Sequence, residues 1–289
     1  MKNTDIKDPV FLAAVEAIDS GNLPLLKELV ELHPRLVTDR LDAPEPGYFQ
    51  HPYLLWFVAD NPIRIEATPA NVTEVTAFLI EQVKKQAPDT CQFQLNYTLG
   101  LASTGRILKE CGTQIAMIDI LIDAGAVPGG GAGALAHGNP EAAAHLIRRG
   151  GELTLSTAVG LGWKDDVIRM TPLADKGEQA AALATAGFYS NTDMVSLLLS
   201  MGVDPNEYPS PQSGFHHHAT PLHQAVFSGS IEAVRLLVEA GARLDLKDKI
   251  YHSTPPGWAG YMLTDENLDE ITRNKFTLIA EYLRSRAEG

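Results

Sequence analysis

Histidine is the residue type with which this chain could do the most chemistry. His216, His217 and His218 are consecutive, and His223 and His252 follow them. Imidazoles hold zinc, copper or nickel when three or four converge in the right tautomer. Three adjacent side chains do not normally point at one ion, so a polar contact surface and a solvated loop stand beside the metal reading. No metal or other cofactor is expected.

Other reactive groups are sparser. Val127 to Ala134 includes Gly129, Gly130, Gly131 and Gly133, backbone that can cradle an anion ahead of a helix. It lacks the lysine and hydroxyl of a phosphate loop, and close helix packing explains it as well. The acids Asp165, Asp166, Asp245, Asp248, Asp265 and Glu266 read as helix starts and solvent-facing ends. Cys91 and Cys111 match no zinc spacing and no nucleophile context, so buried thiols in a reducing compartment are expected. No nucleophile elbow is present. The expectation is a protein that is not an enzyme.

Charge narrows the partners. Against 36 acidic residues stand 23 basic ones, a formal net charge of -13, the wrong sign for a nucleic-acid backbone or an anionic membrane. The excess is spread along the chain, and reads either as a soluble surface or as attraction to a basic partner. No apolar run reaches the ~18 residues of a bilayer span. The N-terminal helix, interrupted by Glu16 and Asp19, lacks a signal-peptide core. A cytoplasmic monomer is expected.

The elements that must position these groups repeat. Gly229 to Gly241 carries Ile231, Val234, Leu237 and Val238 at helical spacing, and Gly241 can take the left-handed conformation that ends a helix. Gly138 to Gly150 and Gly21 to Val30 align with it without gaps. Ile115 to Gly125, Asn191 to Gly202 and Phe276 to Leu283 share the register, with weaker copies at Val72 to Leu79 and Lys164 to Thr171. That makes about eight copies. A shorter, Ala-rich helix precedes each: Phe11 to Asp19, Pro52 to Asp60, Leu95 to Thr104, Gly131 to His137, Leu155 to Leu161, Gln179 to Gly187, Thr220 to Ser228 and Thr254 to Tyr261. One helix pair cannot bury its apolar face alone, whereas stacked neighbours share a continuous core.

Thr220-Pro221-Leu222-His223-Gln224-Ala225, followed by Gly229 and Gly241-Ala242, resembles an ankyrin repeat. Thr254-Pro255-Pro256-Gly257-Trp258-Ala259 repeats the opening about 34 residues later, close to the family period of ~33. The resemblance implies an all-α ankyrin-repeat solenoid of about eight stacked helix pairs, with short β-hairpin fingers or long loops in some repeats. It implies one domain over 1–289, with the clearest repeats in 220–289 and compressed repeats in 127–205. There Gly125, Gly150, Gly177 and Gly202 read as helix-ending glycines at steps of roughly 25 to 27 residues, shorter than an ankyrin unit. It also gives His223 a structural role, bonding backbone at the repeat turn.

Two connections are long. Residues 44–52 and 208–218 each place prolines, an aromatic and histidine before a repeat helix, with Phe49 matching Phe215 and His51 matching His217. In ankyrin proteins such fingers and the starts of the first helices line the concave face, and aromatic anchors concentrate interface energy. The resemblance therefore implies binding of a protein or peptide at Tyr48, Phe49, His51, Trp56, Phe215, His216, His217, His218, Tyr251, His252, Trp258 and Tyr261. For Trp56 and Trp258, packing between repeats is an equal reading. The alternative function is a small-molecule or metal-dependent activity in a pocket near the long fingers.

Overall fold

The computed structural model describes residues 3–43, 47–213 and 217–287. Its backbone contacts divide the chain into two compact units, Met1–Glu152 and Leu153–Gly289. The expected sites Phe215 and His216 lie outside the described residues.

In the first unit α1 (Pro9–Asp19) and α2 (Leu23–Leu32) are followed by α3 (Arg35–Thr38), a 3-10 helix (Leu54–Ala59), α4 (Val72–Gln86) and α5 (Pro88–Thr104). Then come α6 (Arg106–Glu110), α7 (Gln114–Asp123), α8 (Ala132–Ala136) and α9 (Pro140–Arg148). Asp8 starts α1 by accepting hydrogen bonds from the Val10 and Phe11 amides, and a two-pronged bond from Arg35 holds the same carboxylate. The helix read over 52–60 is instead a 3-10 helix whose six residues are all buried. Leu-Leu-Trp-Phe-Val-Ala has no polar face, so it can be satisfied only by burial on every side. α5 begins earlier than the apolar pattern suggests, with Pro88 in its first turn, where the missing N–H costs nothing.

The second unit runs through α10 (Leu155–Leu161), α11 (Lys164–Met170), α12 (Lys176–Phe188) and α13 (Thr192–Ser200). It continues through α14 (Pro221–Phe227), α15 (Ile231–Glu239), α16 (Pro255–Met262) and α17 (Glu270–Ala287). First helices pack on first helices, α10 on α12, α12 on α14 and α14 on α16; second helices follow suit, α13 on α15 and α15 on α17. The same layering recurs within the first unit, where α5 packs on the 3-10 helix and on α8 while α7 packs on α4 and α9. Among the described residues the pairing is that of an all-α solenoid and no residue is in a strand, so the connections are loops rather than β-hairpins.

The Ala-rich composition of the first helices has a direct cause. α12 buries Ala180, Ala181, Ala182, Ala184 and Ala186, and a methyl group on Gly187 would stand 3.1 Å from the Pro221 carbonyl oxygen and 3.2 Å from the Ala225 nitrogen. Leu237, Val234 and Ala233 of α15 lie in the same core as Leu198 and Val195 of α13. Gly241, with φ of 91°, ends that helix as its pattern predicts. Gly177 does not end a helix. It sits in the first turn of α12, started by a reciprocal pair in which Asp175 accepts from the Glu178 amide and Glu178 from the Asp175 amide. A Cβ there would fall 2.7 Å from that of Ser210, so glycine serves close approach of the neighbouring loop.

Candidate functional site

The opening of α14 is built around His223. The Thr220 amide donates to its Nδ1, which leaves the proton on Nε2, and Nε2 donates to the Ser253 carbonyl at 3.0 Å. Burial lowers the pKa of this fully enclosed ring, so it is the neutral form that bridges the two repeats. From Ser253 the chain turns back on Asp248, which has no solvent exposure. One carboxylate oxygen accepts from the Ile250 and Tyr251 amides at 2.9 and 2.6 Å, the other from the Ser253 amide and the Trp258 indole N–H, both at 3.0 Å. Burial by itself raises the pKa of this carboxyl, but the three amides and the indole donor outweigh it and hold the group at about 2. Asp248 is therefore a fixed anion that clamps a loop and orients Trp258, not the solvent-facing acid expected from the sequence.

The clamp gives shape to a cavity of about 350 Å³ lined by Phe227, Tyr251, Ser253, Trp258, Tyr261 and Met262. The ring planes of Tyr251 and Phe227 stand at 69° and 74° to the Trp258 indole, with centroids 6.5 and 6.4 Å from it. Trp258 thus meets both rings at an edge-type angle. Tyr251 and Tyr261 are 72% and 74% exposed, an arrangement that leaves aromatic area open to a ligand. His223 supports the indole at 5.0 Å, and His218 lies 6.1 Å from it, its pKa lowered by burial.

The first unit has its own aromatic group. Trp56 stacks on Tyr97 at 3.9 Å, Tyr53 and Phe93 meet its edges, and the exposed Arg40 guanidinium lies 5.1 to 5.6 Å from Tyr53, Phe93 and Trp56. The Tyr97 hydroxyl donates to the Tyr48 carbonyl, and the Tyr48 hydroxyl to Asn61. Beneath this, Arg64 is enclosed between Asp19, at 2.7 Å, and Asp60, at 3.6 Å, with Phe57 against its guanidinium. Burial pushes the Asp60 carboxyl up to about 6 despite Arg64.

The family model described as "Ankyrin repeats (3 copies)" matches residues 132–248. Residues 132–248 carry ankyrin repeats. The match runs from α8 to the Asp248 clamp and so takes in the compressed middle as well as the Thr220–Ala225 signature. Among solved structures the chain is similar to the human ASB11 ankyrin repeat domain, at 16% identity and a TM-score of 0.34, covering 94% of this chain and 97% of that one. No curated protein matches it. Ankyrin repeats are generally protein–protein interaction modules and typically non-catalytic.

Of the residues singled out from the sequence, Tyr251, Trp258 and Tyr261 share the cavity, and the His218 ring lies 6.1 and 6.5 Å from those of Trp258 and Tyr251. His252 is exposed beside it with φ of 52°, and His217 is exposed. Phe49 and Trp56 are corrections: both are buried, Trp56 to 2% exposure, so their rings pack the unit. Tyr48 is exposed; His51, also at positive φ, is half-buried, its ring nitrogen taking the Ala43 amide. Among the described residues no three His, Cys, Asp or Glu side chains are placed to hold a metal ion, and no helix is long and apolar enough to cross a membrane. Both cysteines are free and half-buried rather than enclosed. Phe227 and Met262 went unnoticed, although Phe227 is the repeat equivalent of Tyr261 when Thr220 is laid on Thr254.

Proposed function

We propose that this chain is a non-catalytic binding protein that holds a protein or peptide partner in the aromatic concavity between α14, the 248–253 loop and α16. The observation that carries this is the cavity of Phe227, Tyr251, Trp258, Tyr261 and Met262, in which the exposed rings of Tyr251 and Tyr261 join a Trp258 indole held by Asp248 and His223. Such rigid, amphipathic rings supply contact area at small entropic cost and are enriched where binding energy concentrates. The repeats themselves support a binding role. Tyr48, in the first unit, and Phe215 and His216, which precede α14 in the sequence, remain proposed as further contact residues.

A photo-crosslinking residue placed at Tyr261 should capture a partner that the same residue at the exposed Leu173 does not. Calorimetry with the captured partner should then show Tyr251→Ala and Tyr261→Ala together weakening binding by about tenfold or more, ~1.4 kcal/mol. An unchanged affinity would place the interface elsewhere. The volume, within the range of small-molecule sites of about 300–1,000 Å³, favours a small ligand as the second reading.

A further inference from the structure

Lysine and arginine side chains lie against many of the chain's other aromatic rings. Arg40 lies over Tyr53, Trp56 and Phe93, Arg64 over Phe57, Lys249 over Tyr208, Lys27 over Phe78, and Arg235 with Arg286 over Tyr282. Among the described residues, no lysine or arginine lies over Phe227, Tyr251, Trp258 or Tyr261. The cavity lining holds no charged side chain, yet it is the place where four such rings meet.

Three features make this space complementary to positive charge. The faces of aromatic rings carry the negative end of their quadrupole, and a cation within ~6 Å of several centroids is attracted to each. The Tyr251 and Phe227 centroids lie 6.5 and 6.4 Å from that of Trp258, and with Tyr261 these rings line one cavity. At the edge of the Trp258 ring, the Asp248 carboxylate accepts the indole N–H at 3.0 Å, which draws electron density into the ring and places a full negative charge beside it. The chain as a whole carries a net charge of -13, a field that draws basic partners toward it. Arg273 is tied to the carbonyls of Leu263 and Asp265, and Lys249 is held on Tyr208 at 4.4 Å.

We infer that the Phe227, Tyr251, Trp258 and Tyr261 cavity is a receptor for a cationic side chain, a lysine ammonium or arginine guanidinium of the partner. This rests on the peptide-binding reading above and states the chemistry of the group inserted. A neutral apolar anchor, leucine or phenylalanine, would use the same area burial without the quadrupole or the Asp248 charge.

The test uses the full chain labelled with ¹⁵N and follows the indole N–H of Trp258, assigned by its loss in Trp258→Phe. Choline and its uncharged isostere 3,3-dimethylbutan-1-ol are titrated separately, as are blocked pentapeptides Gly-Ala-X-Ala-Gly with X as Lys, Arg, Leu or Phe. Choline should shift the Trp258 signal with a dissociation constant at least about tenfold below that of the isostere, and the Lys and Arg peptides should outrank Leu and Phe. Tyr251→Leu with Tyr261→Leu, both exposed and so not needed for folding, should remove that preference. If the isostere and the Leu or Phe peptides bind as well as the cations, the cation inference fails and peptide binding stands. If cations shift signals elsewhere but leave Trp258 unmoved, the inference likewise fails. If no peptide perturbs Trp258 or its neighbours, both readings fail.

Discussion

Replacing Asp248 by asparagine should cost the second unit about 2–4 kcal/mol at pH 7 and loosen the cavity. The carboxylate accepts four hydrogen bonds, two on each oxygen. Asparagine keeps one acceptor oxygen but turns an NH₂ group toward two donors, either the Ile250 and Tyr251 amides or the Ser253 amide and the Trp258 indole. Each buried donor left without an acceptor costs ~1–3 kcal/mol, and the half-buried positions of Ser253 and Trp258 allow water to recover part of it. A second route gives the same size. Holding the carboxyl at about 2 rather than 3.8 is a difference of nearly two units, ~2.5 kcal/mol between its charged and neutral forms. The sign follows from the depressed folded-state value: the contribution is present above about pH 4 and is lost as pH falls through about 2. Urea denaturation of wild type and Asp248→Asn at pH 7 and pH 3, with amide exchange over residues 248–258, reads both effects. A loss below ~0.5 kcal/mol at pH 7, or exchange unchanged at Tyr251 and Ser253, would refute the clamp.

Asp60→Asn should act in the opposite direction. Because burial raises this carboxyl from 3.8 to about 6, its stabilising contribution is full below about pH 4 and is lost as pH rises through about 6. The variant should therefore be more stable than wild type at pH 7 by up to ~3 kcal/mol and equal to it at pH 4, as read by thermal or urea unfolding of the first unit. Asparagine also suits the positive φ of 44° at this position. A stability difference that ignores pH would show that Asp60 titrates normally. Leu237→Ala should cost ~2–5 kcal/mol, since this side chain has no exposure and α15 cannot collapse onto the gap; chemical denaturation showing under ~0.5 kcal/mol would place the buried face of α15 wrongly. Gly187→Ala should destabilise by ~1–3 kcal/mol in the same assay, even though alanine favours a helix, because its methyl meets α14 backbone at 3.1 to 3.2 Å. A stabilising outcome would mean that the α12–α14 spacing is not set by contact.

The residues that line the cavity were unevenly legible in the sequence, and particular positions show why. Tyr251, Trp258 and Tyr261 were visible because they stand at repeat-equivalent or loop positions next to a legible signature. Phe227 has the same repeat position as Tyr261, yet at the end of an apolar helix it looks like core, and only its 46% exposure separates the two. Trp56 and Phe49 mirror that error, being aromatic residues in a loop and an apolar run whose burial depends on Phe57, Phe93 and Tyr97 arriving from elsewhere. Asp248 and Asp60 each look like an ordinary loop acid. Their altered acidity comes from donors and burial supplied by residues up to ten positions away, and, for Asp60, from the fold around Arg64.

By itself the sequence determined the order of the helix pairs and the ends of several helices. Those depend on local physics: apolar spacing within one helix, Asn22, Ser230 and Thr254 accepting first-turn amides, and Gly241 tolerating positive φ. Tertiary structure alone decided which aromatic rings are buried and which remain open, and which carboxyl is clamped as an anion and which is pushed up by burial. Exposure and hydrogen-bond satisfaction are properties of residues brought together from different repeats. Spacing along one chain does not encode them.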